Sequence, residues 1–262
     1  MSRFLALLIL VLAVCPAAAF DPFDRAGIDQ RPGVQVPLDL TFQDESGKTV
    51  TLREVAGGKP ILLAPVLHQC PNICGVTLAG LAQAIEAQTF VPGQDFALVA
   101  FGIDPKEGPP QAVASLARLQ QAFPSLSGGV VHAVTGIKPN IAAVTDALGY
   151  SYAWDPQIGQ YAHVAAVAVL TAQGKLTRWL YGVSPGPTDV KLALTEAGEG
   201  KLGRWSDQLL LLCYHYDPQT GRYGPVIWGT LRVAGAATVA VGLGFIGFSL
   251  LRERRKNGRS AP

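Results

Sequence analysis

Cys70 and Cys74 bracket the segment Cys70-Pro71-Asn72-Ile73-Cys74. Two thiols at this spacing can act as a redox couple, as soft metal ligands or as a structural disulfide. At positions i and i+4 near a helix start, two side chains share one face with Cβ atoms about 5–6 Å apart. That separation suits one metal ion, and a modest shift allows a disulfide. A helix N-terminus also favours the thiolate, the form that binds metal and attacks disulfides. A purely structural disulfide would close a very short loop and remove little chain entropy. A stable metal site needs a third donor, and the chain has four histidines, His68, His132, His163 and His215. His163 is the strongest candidate. It ends Gly159-Gln160-Tyr161-Ala162-His163, just before the apolar run Val164 to Leu170. Position alone is equally compatible with a surface histidine at a strand start, so the residues leave metal and redox chemistry both open.

The elements that must carry these residues alternate between β and α patterns. A strand hairpin is expected from Leu38–Phe42 and Thr49–Leu52, around the turn Asp44-Glu45-Ser46-Gly47. Ile61 to Leu67 is a short continuous apolar run, as expected of a strand covered on both faces. The thiol segment follows it and opens a helical pattern from Val76 to Thr89, with Leu78, Leu81, Ala82 and Ile85 on one stripe. Phe96–Phe101 and Val130–Val134 are further expected strands. Gln111–Phe123, Ile141–Leu148 and Thr188–Ala197 are expected helices. Val164–Leu170 and Leu176–Tyr181 form a second hairpin around Ala172-Gln173-Gly174-Lys175. The strand at Phe96 closes at Ile103-Asp104-Pro105, where Asp104 is read as a turn former that could also support the site. This order predicts an α/β fold, a thioredoxin-like domain with a central mixed sheet flanked by helices.

The two ends of the chain read as targeting and membrane segments. Arg3, the apolar stretch Phe4–Val14 and Ala17-Ala18-Ala19 form a secretory signal, residues 1–19. Cys15 raises a lipoprotein reading, which bulky Val14 argues against. Val233 to Leu251 carries no charge and has about the ~20 residues a membrane-spanning helix requires. Arg252, Arg254, Arg255, Lys256 and Arg259 follow, so the tail is expected to stay cytoplasmic and the domain to face outward. The expected organisation is a signal at 1–19, an irregular segment at 20–34, the globular domain at 35–200 and a juxtamembrane linker at 201–225. A transmembrane helix at 226–251 and a basic tail at 252–262 complete it. In the linker, Cys213 becomes the odd thiol once the signal is removed, and His215 stands two residues on. An extended strand would put both on one face, although packing of the neighbouring aromatics against the membrane interface is the simpler reading.

Only 15% of residues are charged and the formal net charge is +2, a balance that gives no case for nucleic acid. The sequence has no phosphate-binding loop or HExxH pair.

The segments Cys70–Cys74, Ile103-Asp104-Pro105 and Gly159–His163, in this order and spacing, resemble the Sco/SenC family. Its members are membrane-tethered, thioredoxin-like proteins that assemble the binuclear copper centre of cytochrome c oxidase. The resemblance runs from about Val34 to Tyr223 and extends to a bacterial subgroup with a C-terminal transmembrane helix. It implies that Cys70, Cys74 and His163 together bind one copper ion, as Cu(I) or Cu(II). Thiolate and imidazole donors suit both. It further implies a copper metallochaperone on the periplasmic side of a bacterial inner membrane. The partner would be the copper-accepting oxidase subunit, with other periplasmic copper carriers or thiol reductases as further contacts. The alternative is an enzyme, a thiol-disulfide oxidoreductase in which Cys70 and Cys74 reduce the cysteines of the oxidase copper site. Three positions depart from the family pattern. Gly75 replaces a common proline, Asn72 a common acidic residue, and His68 an aromatic residue upstream of the first thiol. None removes a ligand.

Overall fold

The computed structural model describes residues 25–69, 73–156 and 159–198, with 214–217, 222–225 and 238. Residues 73–74, 214–217 and 222–225 are described by their backbone only. The expected signal, the first thiol Cys70, Cys213 and nearly all of the expected transmembrane helix lie outside the described residues. Among the described residues no helix is long and apolar enough to cross a membrane.

A short strand β1 (Gly27–Ile28) precedes the hairpin β2 (Thr41–Gln43) and β3 (Thr49–Thr51). Asp44 Oδ1 closes the hairpin turn by accepting the amides of Ser46 and Lys48. Helix α1 (Leu52–Ala56) starts from a capping box, in which Thr51 and Glu54 satisfy each other's amide groups. Strand β4 (Ile61–Val66), helix α2 (Ile73–Glu86), strand β5 (Ala97–Gly102), helix α3 (Pro109–Ala122) and strand β6 (Val131–Val134) follow as two consecutive crossovers. Helix α4 (Lys138–Leu148) leads through Gly149 to β7 (Tyr150–Ser151) and the hairpin β8 (Ala153–Asp155) and β9 (Gln160–Ala162). The hairpin β10 (Ala166–Leu170) and β11 (Leu176–Tyr181) and helix α5 (Pro187–Ala197) complete the domain. A last hairpin, β12 (Tyr214–Asp217) with β13 (Arg222–Pro225), lies in the expected linker.

The central sheet has the order β11-β10-β4-β5-β6. β4, β5 and β6 run parallel, whereas β10 is antiparallel to β4 and to β11. Every residue of β4 and β5 is buried, which is why both strands read as unbroken apolar runs. Helix α2 packs against both α3 and α5. The core gathers Leu63, Phe101, Val134, Val169 and Trp179 from the sheet with Leu81, Ile85, Val190 and Leu194 from the helices. This is the mixed α/β sheet with flanking helices expected from the sequence.

Four helices begin earlier than their apolar spacing suggests, at Ile73, Pro109, Lys138 and Pro187, the last three with proline in the first turn. Proline loses nothing there, because a first-turn amide has no partner within the helix. Besides the hairpin in the expected linker, two pairings were not expected. β1 in the supposedly irregular N-terminal segment pairs with β7, and the β8–β9 hairpin runs directly into His163.

Candidate metal centre

The parallel strands β4, β5 and β6 all end at one edge of the sheet, where an open α/β sheet receives its ligands. From β4 the chain passes through Leu67, His68 and Gln69 towards Cys70, and α2 then begins at Ile73. Cys74 is thus the second residue of α2, not a residue ahead of a helix starting at Val76. The expectation that both thiols share one helix face rests on Cys70 and lies outside the described residues. Strand β10 pairs with β4 in the opposite direction, with Ala168 opposite Leu63 and Leu170 opposite Ile61. Its N-terminal end therefore meets the C-terminal end of β4, and His163, three residues before β10, stands at the edge from which the thiol segment departs.

A cleft of about 130 Å³ marks this convergence. It is lined by Leu67 and Gln69 from the stretch leading to the thiols, Asp104 and Glu107 from the loop after β5, and Gly159, Gln160 and Tyr161 from the β8–β9 hairpin. Tyr161 of this lining meets half-exposed Trp154 edge-on at 5.2 Å, and Lys106 Nζ lies over the Trp154 ring at 5.0 Å.

Glu107 fixes the approach to the first thiol. Its carboxylate accepts the backbone amides of His68 (2.8 Å) and Gln69 (2.7 Å), the two residues before Cys70. From α3, Arg118 Nη2 donates to the His68 carbonyl at 2.9 Å. Burial raises the Glu107 carboxyl above the usual range, the two amides pull it back, and Asp104 adds a smaller upward push. His68 itself is a core residue. It is 1% exposed, and its Nε2 lies 3.2 Å from the Val134 carbonyl. Among the described residues its Nδ1 has no hydrogen-bond partner. A Cβ on Gly102 would come within 3.0 Å of the His68 ring, so the ring packs directly over that glycine.

His163 is half-buried. Its Nδ1 is 2.9 Å from the Tyr150 hydroxyl and 3.3 Å from the Val164 carbonyl. Burial pushes its pKa below the ordinary value, against a smaller upward effect of the Val164 carbonyl. The neutral imidazole that results is the form that ligates metal. Asp104 Oδ1 accepts the amide of Lys106, the turn-forming role expected of it.

The structure thus gathers His163, Asp104 and the approach to Cys70 at one sheet edge. His132, by contrast, lies on β6, paired with Val99 away from this edge. Of the expected ligand set only His163 has a described side chain, and the described residues contain no group of three metal-ligating side chains. Sequence reasoning missed Glu107, Arg118 and Tyr150. Glu107 offered only one signal, an acidic residue three after Asp104 in the loop that faces the thiols.

The SCO1/SenC family model matches residues 29–191. Among solved structures, an Aquifex aeolicus VF5 protein with a proposed role in electron transfer is 25% identical, with a TM-score of 0.57. The match covers 64% of this chain and 95% of that one. A SCO1/SenC family lipoprotein from Bacillus anthracis str. Ames is 18% identical with a TM-score of 0.51, covering 66% and 100% of the two chains. No curated protein matches the sequence.

Proposed function

The chain belongs to the SCO1/SenC family, and from that membership we propose that it is a membrane-anchored, periplasm-facing copper metallochaperone for cytochrome c oxidase assembly. In this reading Cys70, Cys74 and His163 hold one copper ion as cargo and pass it to the copper-accepting oxidase subunit. The observation that carries it is the convergence at the sheet edge. His163 stands at the edge from which β4 leads towards the thiol segment, near a cleft lined by Leu67 and Gln69 ahead of that segment and by the hairpin leading into His163. Burial keeps the imidazole neutral, and two thiolates with one imidazole suit Cu(I) and also accept Cu(II). Cys74 lies in the first turn of α2.

Delivery proceeds by ligand exchange, the acceptor's thiolates replacing the three donors in turn. If the acceptor arrives oxidised, a thiolate of the pair attacks its disulfide. The mixed disulfide is resolved by the second thiolate, so Cys70 and Cys74 end as a disulfide and the acceptor as two thiols. The test is copper content. The full-length chain with its thiols reduced retains about one copper per chain, and His163→Ala loses both retention and oxidase maturation. A reduced chain that retains no copper overturns the proposal. A His163→Ala chain that loses copper yet still supports maturation replaces it with the thiol-disulfide reductase reading.

A further inference from the structure

The surroundings of His163 bear on which of its two ring nitrogens carries the proton. Tyr150 is 2% exposed, and its ring stacks on buried Trp179 with centroids 5.5 Å apart and planes 20° apart. Its backbone is equally fixed. Ile28 of β1 pairs with Tyr150, and Asp29 donates its amide to the Gly149 carbonyl at 2.8 Å. Gly149 has φ +67°, and a Cβ there would lie 2.0 Å from the Asp29 carbonyl oxygen, so only glycine permits this entry into β7. The phenol is therefore delivered to one place. There its oxygen lies 2.9 Å from His163 Nδ1 and 2.8 Å from the Val164 carbonyl, with Nδ1 itself 3.3 Å from that carbonyl.

Counting protons in this triangle selects a tautomer. The carbonyl can only accept, and the phenol has a single proton. If Nδ1 carried no hydrogen, that proton would have to serve two acceptors, and the triangle could satisfy only one of them. With a hydrogen on Nδ1, the ring donates to the phenol oxygen and the phenol donates to the Val164 carbonyl. Every group in the triangle is then satisfied. The lone pair of the neutral imidazole falls on Nε2.

We propose that Tyr150 is a positioning residue for the copper ligand His163, holding the imidazole as its Nδ1–H tautomer so that Nε2 is the metal-binding nitrogen. The proposal rests on the copper-chaperone reading for the identity of the metal, but the tautomer itself does not. A hydrogen bond from the remote nitrogen of a ligating histidine fixes ring orientation and raises donor strength, and losing it typically costs 10–100-fold in metal affinity. Tyr150→Phe removes only the hydroxyl and keeps the ring that stacks on Trp179.

The test has a metal-free and a copper-loaded arm, both on the full-length chain. In the metal-free chain with 15N-labelled histidine, two-bond 1H–15N correlations are expected to show His163 protonated on Nδ1. In Tyr150→Phe they are expected to shift towards a mixture of tautomers. In the loaded chain, chelator competition is expected to show copper held 10–100-fold more weakly by Tyr150→Phe. Pulsed EPR of the Cu(II) form is expected to show a changed remote-nitrogen signal in the variant. A native imidazole protonated on Nε2 overturns the inference. So does a variant whose copper affinity stays within about twofold of native with an unchanged remote-nitrogen signal. A native chain that shows the Nδ1–H tautomer but retains no copper overturns the role towards copper, and the chaperone reading with it, while upholding the tautomer lock.

Discussion

Glu107 shows how a single carboxylate can hold a loop that carries chemistry. Of the two amides it accepts, that of His68 is sealed from solvent, whereas Gln69 is exposed and can turn to water. Glu107→Ala strands the buried amide, and leaving a buried donor unsatisfied costs ~1–3 kcal/mol. Urea denaturation is expected to show a loss of that size, accompanied by faster loss of copper to a chelator. Full native stability with native copper retention would show that the clamp does not hold the thiol segment. His68 gives the pH dependence. Burial is the main cause holding its pKa below 6.5, and His163 is lowered in the same way. Between those lowered values and about 6.5 the unfolded chain binds protons that the folded chain does not. Stability therefore falls as pH drops through 6.5, by up to ~1.4 kcal/mol per pH unit for each fully differential proton. Glu107 has the opposite sign. Its raised carboxyl loses stabilisation as pH rises from the unfolded value of 4.5 through its folded one. Denaturation at pH 5.5 and 7.5 is expected to show the acid loss, and His68→Gln to reduce the slope to the share left by His163. An unchanged slope in that variant would remove His68 from the account. At this scale the site was half legible. His163 stands out as a histidine ahead of an apolar strand, in a segment with a family pattern. Glu107 and Tyr150 do not, because each acts on groups that only the fold brings to it, 39 residues away in the case of His68.

Helix α2 carries Cys74, and its seat is set by a close backbone approach. A Cβ on Gly80 would meet the Val183 carbonyl oxygen at 2.1 Å and Ser184 Cα at 2.8 Å, both in the turn between β11 and α5. These are main-chain atoms, so no side-chain rotation relieves the contact. Gly80→Ala must push α2 away from that turn. Overpacking of this kind costs ~1–3 kcal/mol, against the few tenths to one that alanine gains over glycine as a helix former. The expected outcome is a net loss in urea denaturation together with weakened copper retention, since the displaced helix carries a thiol. A variant as stable as native would mean that the α2 seat yields freely. The long elements were legible for the reason α2 was. Leu81, Ala82 and Ile85 recur at helical spacing, and the fully buried β4 and β5 read as apolar runs. The short ones were not. Gly27–Ile28 and Tyr150–Ser151 have two residues each, and Ala153–Asp155 and Gln160–Ala162 only three. Such segments have no room for a period-2 pattern to declare itself, yet these four place Tyr150 and lead the chain into His163.

For the whole molecule, the segments beyond the domain bear on where the proposed copper site would work. The family match ends at residue 191, and the hairpin of β12 and β13 lies beyond it. The charge-free run Val233–Leu251 and its arginine-rich tail lie further still. An apolar run of that length followed at once by basic residues is the pattern of a span whose tail remains in the cytoplasm. A tether there would keep the delivery site close to a membrane-embedded acceptor and replace a bimolecular search by a local one. The full-length chain is therefore expected to remain in the membrane fraction after alkaline carbonate extraction, and protease added to spheroplasts is expected to digest the domain. A chain ending at Pro225 is expected to appear in the soluble periplasmic fraction. Every side chain proposed as a ligand or positioning residue lies before that cut. The released chain is thus expected to keep about one copper while supporting oxidase maturation less well at equal expression. If it stays with the membrane, the span is not the anchor. If it is released and matures the oxidase as well as the full-length chain, the anchor contributes nothing to delivery, and proximity must come from the acceptor's own affinity for the domain.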